Sequence, residues 1–271
     1  MDIEALKKHA KNIRINVIKE VSGAQSGHPG GSLGAADILT VLYFEVMDIT
    51  KENAGTLNRD RFVLSKGHCS PLLYAVLAEK GIIEEAELST FRKLHTRLQG
   101  HPDMNEIDGI DMSTGSLGQG LSAAVGMCLA NKLEGNDHRV YALLGDGESE
   151  EGQVWEAAMA AAHYNCDNLC AVIDENGLQI DGKTSDVIGP APFEPKFEAF
   201  GWHVISIDGH DYEAIKAAFD EAKTVKGKPT MIIAKTIKGK GVSFMENQAS
   251  WHGKAPNAEL TEVALKDLEG M

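Results

Sequence analysis

Short apolar runs, each closing in a Gly, Asp or Asn turn and separated by helix-forming stretches, constrain the fold of this chain more than any other feature. Arg139–Leu144 reads as a strand that turns at Gly145-Asp146-Gly147, and Leu169–Asp174 reads as another that ends at Glu175-Asn176-Gly177. Between them, Gln153–His163 is an Ala-rich stretch of helical length. Asp60–Leu64 reads as an earlier short strand running into Ser65-Lys66-Gly67-His68. Near the end, His203–Ile207 and Met231–Ala234 read as strands, with a helix over Tyr212–Lys223 between them. Strands alternating with helices of this length imply an α/β fold, a mostly parallel sheet with helices on both faces. In such sheets ligands bind at the carboxyl ends of strands, where these turns lie.

The amino-terminal half supplies further helices. Ile3, Leu6, Ala10, Ile13, Val17 and Val21 recur at three- and four-residue steps, which predicts a helix that stops at Ser22-Gly23. A glycine-rich loop, Ser26-Gly27-His28-Pro29-Gly30-Gly31, is expected next, then a helix over Ala35–Val46. Pro71 is placed to open a helix through about Lys80, and Ser122–Leu133 and Leu260–Leu268 also read as helices. With no internal repeat, low-complexity stretch or Pro/Ser-rich linker, residues 1–271 read as a single domain.

Composition excludes several classes. No apolar run approaches the ~20 residues that a membrane helix needs. The start, Met1-Asp2-Ile3-Glu4, has neither the basic nor the apolar region of a secretory signal, so a cytoplasmic location is expected. Cys69, Cys128, Cys166 and Cys170 lack zinc or redox spacing and read as free thiols. A net charge of −14 argues against a nucleic-acid partner. It also means that a phosphate-bearing ligand must be drawn by a metal or by local backbone amides.

The pairing of Asp146 with Asn176, thirty residues on, is the most specific chemical signal. Two strand ends of one sheet present a carboxylate and an amide oxygen, which suits a hard cation such as Mg²⁺ that shares its shell with a diphosphate. The Leu178 carbonyl could be a third ligand. Gly-Asp-Gly alone is an ordinary capped turn; the second turn reverses that judgement. Gly115-x-x-Gly118-x-Gly120 carries its glycines in the reverse of the dinucleotide spacing and follows a poor strand, Ile110-Asp111-Met112. It reads instead as a helix N-terminus contributing to a pocket. Of ten histidines, His9, His95, His138, His163, His203 and His210 have no motif around them. His28, His68, His101 and His252 each sit beside Gly or Pro in an expected loop, where imidazoles suit proton transfer and hydrogen bonding. Glu148 and Glu150 read as an acidic helix start complementing the macrodipole.

These motifs together resemble a known family. Gly-Asp-Gly followed by Asn resembles the thiamine-diphosphate motif, and other elements narrow the resemblance to transketolases. They are Ser26-Gly27-His28-Pro29-Gly30, Lys66-Gly67-His68 with Leu72-Leu73-Tyr74, Gly100-His101-Pro102, Gly115-Ser116-Leu117-Gly118-Gln119-Gly120 and Trp251-His252-Gly253, in the family's order over residues 1 to about 256. The resemblance implies the diphosphate-binding type of thiamine-diphosphate fold. It implies a metal (Mg²⁺, with Ca²⁺ or Mn²⁺ as substitutes) held by Asp146, Asn176 and Leu178. Cofactor contacts are implied for His68, Ser116, Leu117, Gly118, Gly145, Asp146, Gly147, Glu151, Asn176, Ile180, Ile237 and His252, with Ile180 and Ile237 as an apolar wall. Glu151 is implied to lie where two cofactor sites meet. His28 and His252 are implied to contact the reacting end of a ketose donor, and His68 and His101 to serve substrate hydroxyls and the cofactor.

The implied activity is transfer of a two-carbon ketol unit from a ketose phosphate to an aldose, as in the pentose phosphate pathway. In single-chain transketolases a second region supplies the glutamate that activates the cofactor's aminopyrimidine and the arginines that grip the sugar phosphate. This chain stops at Met271, near the end of the matched region. A split, cytoplasmic enzyme is therefore expected, a heterotetramer with two copies of this subunit. Two copies of a C-terminal partner would carry the pyrimidine-binding and C-terminal domains. Alternatives are a split transketolase for an unusual, for example sulfonated, sugar, and a non-catalytic relative that keeps the fold. A 2-oxo acid dehydrogenase component or a 1-deoxyxylulose-phosphate synthase fits less well, because those families differ in the His28 and His101 loops.

Overall fold

The alternation read in the sequence becomes a five-stranded, wholly parallel sheet in the computed structural model, which describes residues 1–271. The strands are β1 (Arg61–Leu64), β2 (Val140–Gly145), β3 (Leu169–Glu175), β6 (His203–Asp208) and β7 (Thr230–Lys235). A small antiparallel pair, β4 (Leu178–Gln179) and β5 (Gly182–Lys183), follows β3. The order across the sheet is β1-β2-β3-β7-β6. Burial follows the two-residue period of a strand. Phe62, Leu64, Tyr141, Leu143, Cys170, Val172, Ile232 and Ala234 enter one core layer. Val63, Val140, Ala142, Leu144, Leu169, Ala171, Ile173, Met231 and Ile233 enter the other. Strands buried on both faces explain why the sequence shows continuous apolar runs rather than alternation.

The helices are α1 (Ile3–Ala24), α2 (Pro29–Gly34), α3 (Ala36–Val41), α4 (Ser70–Glu79), α5 (Gln119–Glu134), α6 (Gly152–His163), α7 (Thr184–Val187), α8 (Glu194–Ala199), α9 (Tyr212–Thr224) and α10 (Ala258–Glu269). Helices α1 to α4, α9 and α10 cover the first face, and α5, α6 and α8 the second. None is long and apolar enough to cross a membrane. The four cysteines are unpaired and buried.

Two expectations for the amino-terminal segment need correction. Helix α1 continues through Ser22-Gly23 to Ala24, and Gln25 caps it in a left-handed conformation (φ 49°) with its N–H on the Ser22 and Val21 carbonyls. Gly23 lies in the last turn, where a glycine costs at most about 1 kcal/mol, less than burying Val21 returns. The expected glycine-rich loop is mostly helix: Pro29 pre-sets the first turn of α2, and Pro29 to Gly34 are all buried. Its glycines serve close approach, since a Cβ on Gly30 would lie 2.9 Å from the Trp251 carbonyl oxygen. A predicted helix over Ala35–Val46 is realised as α3 followed by a π-turn over Leu42–Val46.

A buried ionic network locks α1, α3 and the β6–α9 turn together. Arg14 donates to both oxygens of Asp37 (2.8 and 2.7 Å), which also accept from Tyr212 Oη (2.5 Å) and His210 Nδ1 (2.8 Å). Burial alone would raise the Asp37 pKa, but Arg14 and its other donors hold it well below the usual carboxylate range. His210 Nε2 in turn accepts the Ile237 N–H (2.9 Å), extending the network to the end of β7. His210, given no role from sequence, is thus a structural link.

Candidate active site

Four strand ends deliver side chains to one cavity of about 350 Å³: Lys66 after β1, Asp146 after β2, Asp174 and Asn176 at the end of β3, and Lys238 after β7. Asp146 joins the two turns that the sequence singles out. Its Oδ1 accepts the Gly147 N–H (2.8 Å), and its Oδ2 accepts those of Asn176 (2.9 Å) and Gly177 (2.5 Å). The Asn176 Oδ1 accepts the Leu178 N–H (3.2 Å), and its amide nitrogen donates to Asp174 Oδ2 (3.2 Å). The Leu178 carbonyl accepts from Lys238 Nζ (3.3 Å). Asp146, Asn176 and Leu178 are therefore adjacent.

The floor of the cavity is charged, and its charged side chains are buried. Lys66 and Asp174 form a buried pair, with Thr236 Oγ1 also donating to Asp174. Burial would lower the Lys66 pKa, but Asp174 reverses this and holds it up. Lys238 is only 3% exposed and pairs with no carboxylate, so burial, with Lys66 adding to it, pushes its pKa down. Burial, and then the neighbouring Asp174, raise the Asp146 carboxyl to about 6. A buried cation without a counter-charge, next to a carboxylate held against its preference, is an arrangement that a bound anion and cation together would relieve. No group of three or more His, Cys, Asp or Glu could hold a metal. The oxygen donors here are one carboxylate, one amide and one carbonyl, a set that suits a hard cation completing its shell from phosphate and water.

Three histidines close the rim. The ring centroids of His28, His68 and His252 lie 5.1, 5.3 and 5.0 Å apart. Burial first, then neighbouring cations, lower His28 to about 4 and His252 to about 3, and drive His68 down as well. These influences favour the neutral imidazole at all three, a form able to accept a proton at one ring nitrogen and donate at the other. The Nδ1 atoms of His28 and His252 are buried without a partner. His101 stands apart from this triangle: it is exposed, and its ring lies on Gly115, where a Cβ would come within 2.8 Å of Cδ2.

The remaining predicted residues divide. Leu117, Gly145, Gly147, Glu151 and Ile180 line the cavity. Ser116 is exposed. Gly118, in a left-handed conformation (φ 83°), caps α5 and donates its N–H to Glu148 Oε1 (3.0 Å). Ile237 lines a neighbouring cavity with Asp208, His210 and Lys235, and its N–H donates to His210 Nε2 (2.9 Å). Asp181-Gly182-Lys183 forms the tip and second strand of the β4–β5 hairpin. Glu148 is a further correction. It is 3% exposed and accepts from Ser65 Oγ (2.5 Å), Gly118 N (3.0 Å) and Gly145 N (3.0 Å), so it staples three segments rather than capping a solvated helix. Lys66, Lys238 and Asp174 are site residues that sequence reasoning misses. Their signal is position at strand ends, but nothing local distinguishes inward Lys238 from exposed Lys235.

The family model described as transketolase, thiamine diphosphate binding domain matches residues 5–269. The chain is 47% identical over 264 residues to the 6-deoxy-6-sulfo-D-fructose transketolase subunit SqwG of Clostridium sp. (strain MSTE9), covering 97% of this chain and 96% of that one. It is 41% identical over 268 residues to an apulose-4-phosphate transketolase subunit of Phocaeicola vulgatus, covering 99% and 95%. Among solved structures it is similar to transketolase from Campylobacter jejuni, with a TM-score of 0.92 and 38% identity; 99% of this chain matches 43% of that one. It therefore spans less than half of that protein, and nearly all of the two subunits. A parallel sheet whose strand ends gather these side chains, matched over almost its whole length, belongs to the transketolase family as its thiamine diphosphate-binding domain.

Proposed function

We propose that this chain is the diphosphate-binding subunit of a two-subunit, thiamine-diphosphate- and Mg²⁺-dependent transketolase, moving a two-carbon ketol unit from a ketose phosphate to an aldose. The observation that carries this reading is the gathering of Asp146, Asn176, the Leu178 carbonyl and the unneutralised Lys238 beneath three neutral imidazoles. When bound, thiamine diphosphate would supply a thiazolium that stabilises the carbanion left by carbon–carbon cleavage. Asp146, Asn176 and Leu178 would hold the metal. Lys238, the Gly147 turn and the α5 N-terminus with Ser116, Leu117 and Gly118 would receive the diphosphate, and Ile180 would give an apolar contact. His28 and His252 would take and return the proton of the donor hydroxyl, while His68 and His101 would hold cofactor and sugar oxygens. Neutral imidazoles suit this work, since each can accept a proton without first losing one.

The near-complete match to two proteins named as transketolase subunits supports a separate partner chain. We infer that this partner carries the pyrimidine-binding and C-terminal domains, that two copies of each chain assemble in the cytoplasm, and that Glu151 lies between the two cofactor sites. A second reading is favoured by the 47% identity to a protein named for 6-deoxy-6-sulfo-D-fructose: the donor would be a sulfonated ketose. Co-expression with the partner, followed by turnover assays on fructose 6-phosphate and on 6-deoxy-6-sulfofructose, separates the two. Wild-type turnover of one donor, lost in Asp146→Ala together with Mg²⁺-dependent cofactor binding, is the expected result. Cofactor binding without turnover of any ketose would favour the non-catalytic relative, and no binding by the assembled complex would refute the proposal.

A further inference from the structure

The proposed chemistry gives no work to Arg92, yet the backbone is bent to aim it. Its φ of 57° is a left-handed conformation that residues with a Cβ rarely adopt, and its N–H closes the turn on the Leu98 carbonyl (3.0 Å). The guanidinium reaches two separate loops. Its NH1 donates to Ser26 Oγ (2.8 Å), two residues before His28, and its NH2 donates to the Gly100 carbonyl (3.3 Å), one residue before His101. It also packs against Gly100, where a Cβ would lie 2.9 Å from Cζ and Nε. Phe91 wedges the first loop in the same way: a Cβ on Gly27 would lie 3.2 Å from its ring. The adjacent pair Phe91-Arg92 thus touches the two loops that carry His28 and His101.

We propose that Arg92 is a positioning residue that ties the His28 loop to the His101 loop and fixes where these two imidazoles stand before a substrate arrives. The inference rests on the reading of both histidines as site residues. Both loops have other anchors. Ser32 Oγ donates to the His28 carbonyl (2.7 Å), Ser70 Oγ to the Gly100 carbonyl (2.9 Å) and Tyr74 Oη to the Gln99 carbonyl (2.8 Å). Loss of Arg92 therefore loosens their mutual placement without unfolding either. The charge matters as well as the hydrogen bonds. His28 faces Arg92, His101 and Lys238, with the His68 and His252 rings beside it, and His101 faces Arg92. After burial, Arg92 is the first of these influences keeping both imidazoles neutral. A lysine keeps the charge but cannot span two acceptors with a planar fork.

The test uses the full chain with labelled histidine rings, in wild type, Arg92→Met and Arg92→Lys, followed by NMR titration and thermal melting. In wild type, ring-to-ring contacts from His28 to His68 and His252 are expected, with His28 titrating near 4. Arg92→Met is expected to weaken those contacts and to move His28 from about 4 toward the ordinary 6.5, with His101 rising too, while melting changes little. Arg92→Lys is expected to restore the low titration but not the contacts. Unchanged contacts and titrations in Arg92→Met would overturn the proposal. So would loss of folding in both variants, which would make Arg92 a purely structural residue. Neither cofactor, partner nor turnover enters the readout, so failure of the ketol-transfer reading would appear separately, as an inactive wild-type complex with this result intact.

Discussion

Replacing Glu148 by alanine should weaken both the fold and the cofactor pocket, and by an amount that the hydrogen bonds set. The side chain is buried and accepts from Gly118 N, Gly145 N and Ser65 Oγ. Two backbone N–H groups would lose their acceptor, at about 1–3 kcal/mol each; the Ser65 hydroxyl can rotate elsewhere and is counted at zero. Burial raises the Glu148 pKa, so removing the carboxyl also relieves a desolvation cost, leaving a net loss of about 2–4 kcal/mol. At roughly 2 °C per kcal/mol for a chain of this length, melting should fall by about 4–8 °C. Glu148→Gln keeps one acceptor oxygen but sets an NH₂ against a donor, so it should fall between wild type and alanine. Calorimetric melting of the three forms gives the order. Isothermal calorimetry with thiamine diphosphate and Mg²⁺ should show weakened binding in the same order, because the bonds hold the α5 N-terminus to the Gly-Asp-Gly turn. A melting point for Glu148→Ala within about 1 °C of wild type would mean that water replaces the carboxylate, and the staple argument would be wrong.

Asp37→Ala leaves Arg14, 1% exposed, without its partner and should cost about 3–5 kcal/mol, whereas Arg14→Met with Asp37→Leu should recover most of it; chemical denaturation measures both. Because Asp37 is held below its unfolded pKa of about 4, its contribution is present above that pH and is lost as pH falls through it toward the lower folded value. Stability measured between about pH 5 and 2 should therefore decline less steeply in Asp37→Ala than in wild type. Lys238→Met should lower cofactor affinity roughly 10- to 100-fold through loss of a charge-assisted hydrogen bond, with Lys235→Met, on the neighbouring cavity, as a near-neutral control. Equal affinities for the two variants would remove Lys238 from the site.

Local patterns in the chain suffice for the sheet and its ligand-bearing edge. Apolar runs such as Val140–Leu144 and Leu169–Ile173 bury both faces, so only a covered parallel sheet accommodates them, and their ends had to carry Asp146 and Asn176. Hydrophobic period, turn residues and the distance between two turns are all legible without a structure. Long-range packing settles which neighbours face inward. Glu148 and Glu150 share one acidic turn, yet only Glu148 meets three donors, from segments some thirty and eighty residues earlier and from its own strand end. Lys235, Lys238 and Lys240 look alike in sequence, but the backbone path after β7 buries only Lys238. The same path brings the Ile237 carbonyl against α2, and a Cβ on Gly30 or Gly34 would lie 2.9 or 3.0 Å from the carbonyl oxygens of Trp251 and Ile237, more than two hundred residues on. A side chain's chemistry is written in its own residue, whereas its burial and its partners depend on contacts between distant segments that no local pattern encodes.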